Sequence, residues 1–284
     1  MKKVGLVLEG GGLRGIFTSG VLDFFLDKGI KVDYVIGVSA GCANAYAYIA
    51  GKKGFFKDCV LNEKGFNSFF GIAQMAESKK LMNLDKVFED FAEKYKFDYS
   101  KLIHSDIEWE AVVSNIETGL PEYKTEKKSI KKAQTIGKAS CSLPILTFPV
   151  EIDKKLYLDG GICDSIPIRR AEEKGCDKII VVATRRKGRY CHVSEAEKPI
   201  YNSLYGSKYP CFLEAIYKRE EMYKEEISYI ESNTKKGKIF LIRPTLPEAG
   251  RLETNTSKIS LAYYHGYAKA EDQYEELKKY LKGK

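Results

Sequence analysis

Residues 4–20 read VGLVLEGGGLRGIFTSG, an apolar run that breaks into glycines and then takes up a helical pattern. Chains change in this way where the tip of a strand must present bare backbone amides to an anion. The anion is either a nucleotide phosphate held from the start or an oxyanion that exists only during a reaction. A second glycine signal, VIGVSAGCANA at residues 35–45, bears on the choice. There Gly37, Ser39 and Gly41 form Gly-x-Ser-x-Gly between an apolar run and a small-residue helical pattern, the arrangement of a nucleophile elbow. Composition alone yields such a pentapeptide about one time in eight, so the motif is a good signal and not a sufficient one.

The segments around these motifs read as a βαβ unit: a strand at 4–8, a helix at 13–27 closed by Gly29, a strand at 32–38 and a helix at 40–50 ending at Gly51. Parallel strands joined by a right-handed crossover put both glycine turns on one carboxyl edge. Gly10-Gly11-Gly12-Leu13-Arg14-Gly15 also matches the dinucleotide fingerprint, but a Rossmann site needs an acid at the end of the second strand. That end carries Ser39, and Asp33 stands at the start instead. Glycine amides facing a serine hydroxyl describe an oxyanion hole beside a nucleophile, so the transient anion is preferred.

Further along, residues 55–95 read as mostly helical and rich in phenylalanine, and residues 54–75 as core packing, with a lid or lipid-contacting surface as the alternative. A strand is expected at 107–115, a helix at 128–140 stopped by Pro144, and a hairpin over 152–158 around Asp153-Lys154. A helix at 167–174, a strand at 178–183, a flexible surface loop over 184–210, a helix at 212–230 and a strand at 238–242 follow. Over 260–281 the apolar stripe Tyr263, Tyr267, Ala270, Tyr274, Leu277 and Leu281 is expected to pack onto the sheet. No repeat or break in composition divides the 284 residues, and one domain is expected.

The chain carries 44% hydrophobic and 30% charged residues, ordinary for a globular protein. No stretch approaches the ~20 apolar residues of a membrane span. The five residues between Lys3 and Glu9 are too few for a signal-peptide core. Seven scattered cysteines without a Cys-x-x-Cys pair argue against a disulfide framework or a zinc site and for a reducing cytoplasm. A net charge of +8 spread over 47 basic and 39 acidic residues gives no nucleic-acid arm. The short clusters Lys127-Lys128 with Lys131-Lys132, and Arg185-Arg186-Lys187, read as solvated surface.

A serine nucleophile needs a base. His104, His192 and His265 adjoin no glycine turn and read as structural or solvent-facing. Asp159, ending an apolar run before Gly160-Gly161, is the better candidate, although Asp-Gly alone reads as a turn. Cys42, three residues after Ser39, reads as a small core residue.

Taken together and in order, Gly10-Gly11-Gly12-Leu13-Arg14-Gly15, Gly37-Val38-Ser39-Ala40-Gly41 and Asp159-Gly160-Gly161 resemble the patatin-like phospholipase family, as do Ala139-Ser140 to Pro144, Asp164 and Pro167. The resemblance spans residues 4 to about 183, and 184–284 carry no motif. It implies a three-layer α/β/α sandwich with a mainly parallel central sheet. It also implies a Ser39–Asp159 dyad without histidine, with Gly37 and Gly41 shaping the elbow and Gly160 and Gly161 the base loop. The oxyanion hole is expected from Gly10, Gly11, Gly12, Arg14 and Gly15, centred on the amides around Gly11 and Gly12. Arg14 adds positive charge near the hole or a substrate phosphate. The expected reaction is hydrolysis of a lipid carboxylic ester through an acyl-serine, without cofactor or metal, in the cytoplasm, free or peripheral to a membrane. A thioesterase or general carboxylesterase is the enzymatic alternative; a nucleotide-binding module or silent lipid-binding scaffold is the non-enzymatic one.

Overall fold

The computed structural model describes residues 2–61, 71, 79 and 81–283. Its strands are β1 (Val4–Leu8), β2 (Tyr34–Val38), β3 (Glu108–Asn115), β4 (Pro121–Lys124), β5 (Val150–Ile152), β6 (Lys155–Asp159), β7 (Lys178–Val182) and β8 (Ile239–Ile242). They lie in one sheet in the order β5-β6-β3-β2-β1-β7-β8, with β4 paired to β3. The run from β3 to β8 is parallel, and β4, β5 and β6 pair antiparallel.

The parallel strands are apolar at nearly every position because both faces are covered. Alternate side chains enter two different cores. Leu6, Leu8, Val35, Ile180 and Val182 join one, and Val7, Ile36, Val38, Ile179 and Val181 join the other. The first core lies under α1 (Gly15–Asp27), α2 (Ala40–Ile49), α3 (Phe55–Leu61), α4 (Phe91–Lys94), α5 (Tyr99–Ile103) and α6 (Ile130–Cys141). The second lies under α7 (Ile168–Glu173) and Tyr223, Ile227 and Ile230, which follow α8 (Lys198–Tyr205) in α9 (Pro210–Lys235). The chain ends in α10 (Thr256–Asp272) and α11 (Tyr274–Lys282), whose Ile259, Ala262, Ala270 and Leu277 return to the first core. The layering is the expected α/β/α sandwich.

Two expectations are corrected, and one strand is added. Residues 184–210 are not all loop: Pro199 starts α8, where a missing N–H costs nothing, and Tyr201 and Tyr205 are buried. The terminal stripe lies mainly on α1, not on the sheet. A Cβ on Gly20 would lie 2.1 Å from the Tyr263 carbonyl oxygen and one on Gly266 2.0 Å from that of Phe17, so the two helices meet backbone to backbone. The Tyr263 and Tyr267 hydroxyls donate to Asp23 and Asp27 of α1 at 2.7 and 2.8 Å. Tyr280, accepting from the Ile179 amide at 2.8 Å, ties this end to β7. Strand β4 has no counterpart in the sequence reading. Most of the stretch 54–75 read as core or lid lies outside the described residues; of its aromatics, Phe55 is buried and Phe56 half-buried.

Candidate active site

Strand β2 delivers Ser39 into a turn that few side chains tolerate. Its backbone sits at φ 54° and ψ −124°, a left-handed conformation that costs a residue with a Cβ about 1–3 kcal/mol. The flanking glycines are required by close approach. A Cβ on Gly37 would lie 2.6 Å from the Gly41 carbonyl oxygen, and one on Gly41 2.4 Å from that of Leu8. The Ser39 amide donates to the Ser140 hydroxyl at 3.0 Å, anchoring the elbow to α6.

Asp159 ends β6 beside β3, and its two carboxylate oxygens do two jobs. Oδ1 accepts from the Gly161 amide at 2.9 Å, closing the turn that Asp-Gly suggested. Oδ2 accepts from the Ser39 hydroxyl at 2.5 Å. The main chain of Asp159 is fixed as well: its amide donates to the Ser142 carbonyl at 2.7 Å, and its carbonyl accepts from the Ser114 hydroxyl at 2.8 Å. Burial pushes the carboxyl above the ordinary aspartate range, against the Ser39 hydrogen bond, the Gly161 amide and the charges of Arg219 and Arg251. Asp164 supports the same loop, its amide donating to the Gly160 carbonyl at 3.0 Å, while its buried carboxyl accepts from Tyr123 and stays clear of Ser39.

The glycine loop after β1 faces this pair; a Cβ on Gly10 would lie 3.2 Å from that of Ser39. Among the described residues the amides of Gly10, Gly11 and Gly12 have no acceptor. The amides of Arg14 and Gly15 are used within the following turn, bonding to the carbonyls of Gly11 and of Gly12 and Leu13. This narrows the expected set of amide donors. Gly15 instead lets α1 approach Ala40, to which a Cβ would come within 2.7 Å. The loop is held from behind by residues the sequence reading missed. Glu9, fully buried, accepts from the Thr184 amide at 2.6 Å, from the Tyr223 hydroxyl at 3.1 Å and from Arg185, while the Thr184 hydroxyl donates to the Gly10 carbonyl at 2.8 Å. Arg185, read as solvated surface, is buried in that pair.

Two cavities open on either side of Ser39. One is apolar, lined by Ala43, Tyr46, Phe55, Phe88, Phe97 and Leu143 among others. The other is polar, running past Asp159 to Arg14, Arg185, Arg219, Arg251 and His192. His192 lines this cleft but makes no hydrogen bond to Ser39 or Asp159 among the described residues. His104 is exposed at the end of α5, and His265 meets Thr245 and the edge of Phe17.

A model of the patatin-like phospholipase family matches residues 6–172, more than half of the chain, and a model of a domain of unknown function (DUF6363) matches residues 209–282. The chain belongs to the patatin-like phospholipase family and is an acyl hydrolase of the phospholipase type. It is 27% identical over 250 residues to the uncharacterized protein YjjU of Escherichia coli K12, a match covering 86% of this chain and 69% of YjjU. It is 28% identical over 184 residues to lysophospholipase NTE1 of Saccharomyces cerevisiae S288c, covering 63% of this chain and 10% of that protein. Among solved structures, VipD from Legionella pneumophila aligns with a TM-score of 0.45 at 14% identity, over 97% of this chain and 67% of that one.

Proposed function

We propose that the protein hydrolyses lipid carboxylic esters with Ser39 as nucleophile and Asp159 as general base. In the first step the Ser39 hydroxyl gives its proton to Asp159 as its oxygen adds to the ester carbonyl. The oxyanion is met by the amides of the Gly10–Gly12 loop, each donor being worth about 3 kcal/mol. Collapse expels the alcohol, which takes the proton from Asp159, and leaves an acyl-serine. Water, giving a proton to Asp159, then attacks the acyl carbonyl, and Ser39 recovers its proton as the fatty acid leaves.

The observation that carries this reading is the 2.5 Å hydrogen bond from the strained Ser39 to a buried Asp159. An aspartate near pKa ~3.9 is a poor base in water. One that is desolvated and in direct contact with the proton it removes is a better one. The apolar cavity supports an acyl chain as the group on the carbonyl side, each buried methylene contributing ~0.8 kcal/mol. Residues 209–282 we take as part of the same domain, since β8 pairs with β7 and α10 packs on α1. The test is a fluorophosphonate ester, expected to label the wild type and not Ser39→Ala. Equal labelling of both would remove Ser39 from the mechanism.

A further inference from the structure

We propose that the polar cleft is a head-group site for a phosphate monoester, that the preferred substrates are lysolipids ending in such a group, and that Arg219 and Arg251 determine this preference. The inference rests on the ester-hydrolase reading above and adds to it the group at the far end of the substrate.

Four arginines line the cleft, and among the described residues one of them is in an ion pair there, although Asp159 and Glu197 feel the charges of Arg219 and Arg251 from a distance. Arg185 is paired with Glu9. Among the described residues, Arg14, Arg219 and Arg251 have no carboxylate in ion-pair contact, and the Nε atoms of Arg14 and Arg219 are buried without an acceptor. Buried polar groups in folded proteins are nearly always satisfied, so each orphan needs an explanation. The three converge from separate elements. Arg14 follows the glycine loop, its Nε 3.3 Å from where a Cβ of Gly11 would stand. Arg219 reaches from α9 to within 3.2 Å of a Cβ position on Gly161. Arg251 lies over Gly12 and accepts the Leu13 amide on its own carbonyl at 3.0 Å. Burial first, and then the nearby Arg185, Arg251 and Arg219, push the Arg14 guanidinium down to about 10 against the opposing charge of Glu9.

The remaining lining argues for a monoester over a zwitterionic head group. Arginine forks match phosphate oxygens in pairs, and a terminal phosphate offers three of them. An added ammonium would need a free carboxylate or an open aromatic face. Glu197, the one lining carboxylate besides Asp159, accepts on Oε2 from the Ser194 amide and hydroxyl at 2.9 and 2.7 Å, and it already faces the charge of Arg251. The Tyr190 ring has Lys224 Nζ 5.5 Å from its centroid. Because the cleft and the apolar cavity share Ser39, a single-chain lipid could lay its tail on one side and its phosphate on the other.

The experiment compares three oleoyl lysolipids with terminal phosphate, phosphocholine or plain glycerol, using wild type, Arg219→Gln and Arg251→Gln. In the wild type, kcat/KM for the phosphate substrate is expected to exceed that for the glycerol one by about tenfold or more, as charged hydrogen bonds warrant. Each variant is expected to collapse that ratio mainly through KM, and Arg219→Lys to restore part of it. Glycerol 3-phosphate should inhibit hydrolysis of the glycerol lipid competitively, and less so in the variants. A wild type that turns over all three lipids alike, or variants that keep the ratio, would overturn the head-group site and leave the hydrolase standing. Inhibition by inorganic phosphate or glycerol 3-phosphate without preference for the phosphate lipid would make the cleft a free-anion site and equally overturn it. Absence of both turnover and fluorophosphonate labelling would instead sink the hydrolase reading.

Discussion

The two cavities that meet at Ser39 are built from different parts of the chain. The apolar one draws its aromatic lining from residues 46–99, with Cys141 and Leu143 and a small contribution from Arg251 and Leu252. The polar one combines the glycine loop and Asp159 with Arg185, Tyr190, His192, Glu197, Arg219 and Arg251, the last six all beyond the segment matched by the patatin-like model. The contrast separates what the family's core contributes from what this chain's C-terminal third adds. The first third supplies Ser39 and most of the apolar lining; the last third supplies Arg219 and Arg251.

The sharpest way to break that picture is at the seam. Ser39→Ala is expected to lower kcat by at least ~10⁴-fold while leaving the circular dichroism spectrum unchanged, the scale of loss when a serine nucleophile is removed. Turnover within about tenfold of wild type would mean that neither cavity serves Ser39 chemistry.

On the polar side, Arg185→Ala should act on stability first. It leaves the fully buried Glu9 without its cation, and breaking a buried pair by removing one partner costs about 3–5 kcal/mol. Denaturant unfolding would read this as a lower midpoint at unchanged slope. Glu9 also carries the Thr184 amide beside the Gly10 carbonyl, so the folded fraction should also lose kcat more than it raises KM. A loss under ~1 kcal/mol would mark the pair as peripheral.

On the apolar side, Ala43→Leu narrows the cavity from the face of α2. Pockets discriminate by about 1–3 kcal/mol per methylene, so kcat/KM for a long-chain ester should fall about tenfold relative to a butyryl ester. An unchanged ratio would mean the tail lies elsewhere.

How much of this was legible in the residues depends on how local the cause is. The elbow was readable because Gly37 and Gly41 answer to backbone atoms only a few positions away or on the adjacent strand. Asp159 was legible as a turn from Asp-Gly chemistry, but its meeting with Ser39 depends on β6 joining β3, a long-range pairing that only the family resemblance supplied. The stripe over 263–281 was read with the right period and the wrong partner, because small residues on two helices, Gly20 and Gly266, decide which surface can come close. Arg219 and Arg251 gave no signal at all. One sits in a helix crowded with Lys and Glu, the other in an irregular loop, and only folding shows that neither forms an ion pair with a carboxylate among the described residues.

Asp159 lines the polar cavity and bonds to Ser39, which lines both, and its titration gives the smallest and most selective of these tests. Its pKa is raised by burial, so the protonated form, useless as a base, persists to higher pH than for an ordinary aspartate. The acid limb of kcat/KM for a neutral ester should therefore fall above the ordinary carboxylate range, with activity rising as pH climbs through it. Arg219 and Arg251 pull in the opposite direction by favouring the carboxylate. Removing either charge, as in Arg219→Gln, should move the limb further up. The same sign holds for stability: a carboxyl that binds its proton more tightly when folded makes the fold relatively more stable below its folded pKa, and the buried charge weighs against folding above it. Asp159→Asn should accordingly remove activity and flatten the stability profile through that interval. If the limb stays put in Arg219→Gln, the cleft's arginines do not sense the dyad, and the two cavities are neighbours without being electrostatically joined.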